Sequence, residues 1–279
     1  MKIKKISLII LFIIIISTIL FSNTKNDIFT AVKKNDKKQI NKILSNIVDV
    51  NLKDDEGNSI LYYAALLRNM ELIELLINKG IYINKDNEDC NMAVISSAFN
   101  GDFKVLKKLI EKGASVNSKD DKGYTVLMSA CSTNHYDIVV FLINNGADIH
   151  LKNVSKQTAL MFATGPNKIK IVDLLIKKGT LVNEQDDFGN SALIPASMFS
   201  TEIAKLLIEN GADVNLKNMD NQTALMAASN YNNIESVKIL INAGANLNII
   251  DNYNKTALDY AEQKKYKEII EIIKEALKK

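Results

Sequence analysis

The strongest constraint on this chain is a set of four residue ladders that share one period. Gly80, Gly113, Gly146, Gly179, Gly211 and Gly244 each close a Leu/Ile-rich run, at intervals of 33, 33, 33, 32 and 33 residues. Four positions on stands Asn84, Asn117, His150, Asn183, Asn215 or Asn248, with Asn51 one period earlier. A hydroxyl residue two before an aliphatic one recurs as Ser59/Leu61, Thr125/Leu127, Thr158/Leu160, Ser191/Leu193, Thr223/Leu225 and Thr256/Leu258. A small residue follows at Ala64, Ser97, Ala130, Ala163, Ala196, Ala228 and Ala261. Ladders that stay in phase at 20–50 residues mark a repeat architecture, in which each unit buries its apolar face only by stacking on its neighbours.

Each rung has a local reading. The Ser or Thr predicts a helix N-cap, its hydroxyl accepting from early backbone N–H groups. The apolar and Ala residues after it predict a short first helix that packs closely. A second helix, such as "IESVKILINAG", is apolar at helical spacing. The glycine ends it in the left-handed conformation that other residues resist. The Asp and Asn that follow favour tight turns through side-chain to backbone bonds. The stretch "NGADVNLKNMDNQTALMAA" (210–228) is therefore a helix stop, a hairpin-like turn and a helix start.

These motifs closely resemble the ankyrin repeat, whose pattern is D-x-x-G-x-T-P-L-H-x-A-A, then G-H, then a helix ending L-L-x-x-G-A-D-V-N. "DDKGYTVLMSACSTNHYDIVVFLINNGADIH" (120–150) and "NMDNQTALMAASNYNNIESVKILINAGANLN" (218–248) follow it nearly throughout. The resemblance covers residues 27–279 and implies an all-α solenoid of helix pairs linked by hairpin-like turns. Counted from the N-terminus, repeat 1 is a partial unit (27–53). Full repeats 2–7 follow at 54–86, 87–119, 120–152, 153–185, 186–217 and 218–250, and repeat 8 (251–279) caps the stack. The family's Pro after Thr and its His after Leu are both replaced here, which removes the Thr–His bonding the family uses between repeats. Repeat 3, "DNEDCNMAVISSAFNGDF", lacks both the Gly and the Thr at their places and should hold the weakest turn, with Cys90 at its tip. Repeat 6 is one residue short between its helices and carries Pro195 in its first turn.

Ahead of the repeats, Lys2, Lys4 and Lys5 precede the apolar run Ile6–Phe21. This reads as a secretory signal over residues 1–22. The run is 16 residues, against the ~20 that usually span a bilayer, so an uncleaved anchor is the alternative. The chain has 35 basic and 32 acidic residues. Three Lys and no acid lie in residues 1–22, so the remainder balances at 32 against 32. That excludes a net-basic nucleic-acid footprint from the repeats.

Little in the chain points to chemistry. His135 falls on the family's G-H position, and His150 replaces a ladder Asn. Cys131 and His135 are four apart, a spacing that could pair a nucleophile with a base, but Cys131 occupies a packed small-residue position. The turns lack the twelve-residue acidic frame of a calcium loop. No phosphate-binding loop, HExxH or CxxC is present. The expectation is no cofactor, no metal and no catalysis.

The surface remains. In the family, partners commonly bind at variable positions near the turn tips and the ends of the first helices. At those positions Phe188, Met198, Phe199, Met219, Tyr231 and Tyr253 gather in repeats 6–8, with Tyr124 at an earlier tip. Large apolar groups there suggest an interface; packing of the tips on one another is the other reading. The expected protein is a monomeric, exported, non-catalytic scaffold that binds another protein. A membrane-tethered envelope protein and a thiol enzyme using Cys131 are the alternatives.

Overall fold

The computed structural model describes residues 25–46, 49–84 and 88–278. The proposed signal or anchor lies outside them. Two compact units divide at Ser118/Lys119. The described residues form helices and isolated bridges, with no strands.

The N-terminal unit holds α1 (25–33), α2 (Lys37–Leu44), α3 (Ile60–Leu66), α4 (Met70–Asn78), α5 (Glu88–Asn100) and α6 (Phe103–Glu111). The C-terminal unit holds α7 (Val126–Ser132), α8 (Tyr136–Asn144), α9 (Ala159–Phe162), α10 (Ile169–Lys177) and α11 (Leu193–Phe199). It continues with α12 (Thr201–Glu209), α13 (Ala224–Asn230), α14 (Ile234–Asn242), α15 (Ala257–Lys264) and α16 (Lys267–Ala276). Within each unit first helices stack on first helices and second helices on second helices. The core is the ladder residues themselves: Leu61, Ala64, Leu127, Ala130, Leu160, Leu193, Leu225 and Ala228 are all buried.

The helix ends follow the physics of their sequences. After α8, Gly146 sits at φ +87°. Its N–H bonds the Ile143 carbonyl (3.1 Å), and the Ala147 N–H reaches the Leu142 carbonyl (3.0 Å). That pair of bonds satisfies two carbonyls left over at a helix C-terminus. The Asn ladder ties one repeat to the next. Asn183 donates to the Gly211 carbonyl (2.9 Å) and accepts from the Asp213 N–H (2.9 Å). Asn215 does the same to Gly244 (3.2 Å) and Asn246 (2.7 Å). By that register His150 stands opposite Gly179 and Leu181, but its ring does not set a donor and an acceptor side by side as the amide does. The bond it makes is from its backbone N–H to Asp148 (2.9 Å).

The hydroxyl ladder caps as expected in five repeats. Ser59, Thr125, Thr158, Thr223 and Thr256 each accept from the N–H three residues on. Ser191 does not. In those five repeats the cap carbonyl accepts the N–H four residues on, at 3.0–3.4 Å. In repeat 6 that position is Pro195, which has no N–H. The Ile194 N–H therefore bonds the vacant Ser191 carbonyl (3.3 Å), and the buried Ser191 hydroxyl is left without a partner. The missing residue shows in the next turn. Where other repeats place a left-handed residue (Arg68, Asn134, Asn232) between helices, Ser200 alone ends α11 and starts α12.

Repeat 3 departs from expectation. Cys90 was placed at a turn tip; it is fully buried inside α5. Without Gly to turn or Thr to cap, the helix starts before the tip position and takes in Asp89 and Asn91 on either side of Cys90. Neither cysteine is in a disulfide. His135 stands at the N-cap position of α8, the start of the second helix, as its G-H position implied.

Pro166 creates a second vacancy, four residues after Phe162. The Lys168 amine fills it, donating to the Phe162 carbonyl (2.9 Å) and to Ser132 at the end of α7 (2.8 Å). A cation there also meets the negative ends of two helices.

In the N-terminal unit, Asp54 accepts from the Tyr63 hydroxyl (2.7 Å), the backbone N–H groups of Glu56 and Asn58 (3.0 Å each), and pairs with Lys33 (3.0 Å). Partial burial pushes its carboxyl up. The Tyr63, Lys33 and backbone donors outweigh that and bring it down from 3.8 to about 2.

Four outcomes are expected. Thr223→Ala costs about 1 kcal/mol in urea unfolding, the usual loss of a cap. Ser191→Ala costs nothing or stabilises, because it removes a buried hydroxyl with no partner; equal costs would refute this account of repeat 6. His150→Asn gains about 1 kcal/mol, a rise of about 2–4 °C in melting temperature, by restoring the inter-repeat bonds. Finally, Asp54 has a lower pKa folded than unfolded, so its stabilisation is complete above about pH 4 and is lost as pH falls through about 2. Wild type should therefore lose more urea resistance than Asp54→Asn between about pH 5 and about pH 2.5.

Candidate functional site

The turn tips of the C-terminal unit are built by one repeated device. The first tip residue is Asp120, Asn153, Asp186, Asn218 or Asp251. Its side-chain oxygen accepts the backbone N–H groups two and four residues on, at 2.8–3.0 Å. This is the local bonding that makes Asp and Asn turn residues, and it fixes the shape of each tip without help from its neighbours.

The tips are then joined in a row. The Val154 N–H donates to the Lys122 carbonyl (2.9 Å), Asp187 to Ser155 (3.0 Å), Met219 to Phe188 (2.8 Å) and Asn252 to Asp220 (2.9 Å). Each bond runs from the second residue of one tip to the third residue of the tip before it. At Gly189 the approach is so close that a Cβ would stand 2.9 Å from both the Asn218 Cα and the Met219 nitrogen. Gly189 also has φ +75°, so both sterics and backbone conformation require glycine there.

The structure sorts the residues named from sequence into separate places. Phe188, Met219 and Tyr253 lie on the tip row and are strongly exposed. Phe199 and Tyr231 lie at the far ends of α11 and α13. Their rings meet edge to face at 5.5 Å and 78°, and each is about half exposed. A seven-residue helix is ~10 Å long, so the tip row and this ring pair form two parallel lines, not one patch. Met198 is half-buried. Tyr124 is half-buried and packs on Phe162 at 5.4 Å, away from the other six.

Between the lines lie Pro195 and Ala227, both half-buried. Tyr260 donates to Asp251 and accepts from Gln222 (3.0 Å). Burial and the Asp251 carboxylate hold the Tyr260 phenol up at about 12.

One exposed apolar residue of the tip row was missed. Val154 is 67% exposed at the tip of repeat 5, where Asn153 and Lys156 replace the family's Asp and Gly. A β-branched residue directly after the turn-forming Asn is the signal that could have found it.

The thiol alternative meets a physical obstacle. Cys131 is fully buried, and that burial pushes its thiol up to about 12 against a small opposing effect of Lys168. A thiol held protonated supplies no nucleophile near neutral pH. Among the described residues no group of three or more His, Cys, Asp or Glu side chains could hold a metal ion.

No curated protein matches the chain significantly. Among solved structures, it is similar to a chain in the complex of the Bd0816 predatory endopeptidase from Bdellovibrio bacteriovorus with immunity protein Bd3460. That match has 28% identity and a TM-score of 0.60, covering 65% of this chain and 96% of that one. The family model "Ankyrin repeats (3 copies)" matches residues 28–120, 89–153, 127–218 and 200–278. With the model matched over nearly all of residues 28–278, the chain belongs to the ankyrin-repeat family.

Proposed function

We propose that this protein is an exported, monomeric, non-catalytic scaffold that binds another protein through the tips and first-helix ends of repeats 5–8. The observation that carries the reading is the row of backbone-bonded tips with Phe188, Met219 and Tyr253 exposed along it. Exposed apolar side chains held on a rigid frame lose little conformational freedom when a partner covers them. Phe199 and Tyr231 add two half-exposed rings on the parallel line, and aromatic anchors of this kind dominate interface energies. The binding module needs no cofactor and no metal.

Export rests on the N-terminal sequence. No helix of the described residues is long and apolar enough to cross a membrane, so a tethered form would depend on residues 1–22. N-terminal sequencing of the mature protein separates the two: a start near Asn23 supports the cleaved form, and retention of Met1 supports the anchor.

The similarity to a chain from an endopeptidase–immunity protein complex favours a narrower second reading, that binding blocks an exported hydrolase. Under it, adding the pure protein in equal amount to its captured partner abolishes that partner's hydrolytic activity.

The central experiment is affinity capture with the C-terminally tagged chain from envelope and extracellular fractions. Wild type should retain a specific protein. Phe199→Ala with Tyr231→Ala should lose it while helix content stays unchanged. Equal capture by the double variant would remove the ring pair from the site, and no capture by wild type would count against a binding role.

A further inference from the structure

Among the described residues the four most exposed large apolar side chains are Met219 (71%), Val154 (67%), Tyr253 (66%) and Phe188 (64%). They stand on the four consecutive tips of repeats 5–8. Scattered exposed apolar residues are ordinary on any surface; one on each of four adjacent, bonded tips is an array. From the tip bonds, Phe188 and Met219 adjoin across one junction. Val154 lies one junction from that pair on one side and Tyr253 one junction away on the other. At the 8–10 Å spacing of packed helices the array is roughly 25–30 Å long.

We infer that this array is a ridge that inserts into an uncharged apolar groove of the protein partner, and that Val154 is part of the contact. The inference rests on the binding function proposed above and assigns it a shape and a chemistry. The shape follows from position. The side chains stand on turn tips, whose backbones are fixed by their own Asp or Asn and by the neighbouring tip. Such a row cannot fold back to cover itself and can be covered only by a surface that receives it.

The chemistry follows from charge. Of the tip charges between Val154 and Phe188, Lys156 pairs with Asp187 at 2.9 Å, and the Asp186 carboxylate accepts two backbone N–H groups of its own tip. Asp220, next to Met219, leaves one exposed carboxylate on the row. In the last tip the Asp251 carboxylate accepts from its own backbone and from Tyr260, and Lys255 donates to Gln263. A strongly acidic partner would meet Asp220, and a strongly basic one would find only that carboxylate without a local partner. One with an apolar, near-neutral groove buries all four side chains at little electrostatic cost. The ring pair Phe199–Tyr231 is less exposed and already in mutual contact, so it lies beside the insertion and not in it.

The test uses the tagged full-length chain and the protein it captures. Val154→Asp with Met219→Asp places two carboxylates on the ridge at positions exposed enough to leave the fold intact, which circular dichroism and melting verify. The expected result is a loss of affinity of about 30-fold or more, as for a hot-spot pair. Wild-type binding should survive salt raised from about 0.1 to about 1 M, where screening shortens to about 3 Å. Val154→Asn with Met219→Gln, polar but uncharged, should weaken binding less than the carboxylates do. Undiminished capture by the Asp double variant, or release of wild type by salt, overturns the ridge while leaving a binding role in place. Failure of wild type to capture anything overturns the binding role and the ridge with it.

Discussion

An ankyrin unit cannot stand alone, because its two helices leave apolar residues uncovered on both sides. Here the cover comes from the next copy, and the copies must arrive in register. Two sets of polar bonds hold that register in the C-terminal unit. One is the tip row, in which each turn donates a backbone N–H to the turn before it. The other is the Asn ladder, in which Asn183 and Asn215 grip the loop after the next second helix through both ends of their amides. Each bond is worth only about 1 kcal/mol net. Their value lies in placement: the tip bonds recur at each junction of the unit, the Asn bonds reinforce two of them, and together they leave few other ways to stack.

Departures from the repeat are informative because a neighbouring bond explains each of them. Pro195 removes one N–H, and the bonding of a whole first turn shifts until a serine hydroxyl is stranded. Pro166 removes another, and a lysine amine moves in to serve the same carbonyl. Repeat 3 has neither turn glycine nor cap, so its helix extends and Cys90 goes inside. In all three the backbone's demand for partners decides the outcome, since an unpaired buried polar group costs more than a made bond returns. The stranded hydroxyl of Ser191 marks a place where that demand is not met. It lies in the repeat that also lost a linker residue.

Most of the fold was legible because a ladder repeats each signal. A single Thr or Ser before a Leu is weak evidence of a cap; six in phase are strong evidence, and five of six caps form as read. The failures are of one kind. Ser191 matched its ladder by residue type, but its fate depends on Pro195, four positions on. Cys90 was placed by counting from neighbouring repeats, although the residues that make a turn there are absent. The site was less legible. Phe188, Met219 and Tyr253 were found as large apolar residues at tips, but composition could not show that Phe199 and Tyr231 form a separate line. Val154 escaped because valine is smaller than the residues sought and its tip lacks the family's glycine. Only exposure, a property of the folded chain, ranks it beside Met219.

Rigid tips and a variable surface are two consequences of one design. The turn-forming Asp or Asn and the tip-to-tip donors use backbone groups and a single side chain per repeat. The second and third tip positions are therefore free of structural duty: Val154 and Ser155, Asp187 and Phe188, Met219 and Asp220 can differ without changing the frame that holds them. The same freedom explains why the fold names no partner. Specificity resides in side chains that the stack does not need, while Gly189, which the stack does need, is fixed by a 2.9 Å approach to the next tip. Adjacent residues of one turn thus answer to different constraints: glycine to the packing of tip on tip, phenylalanine to whatever covers the row.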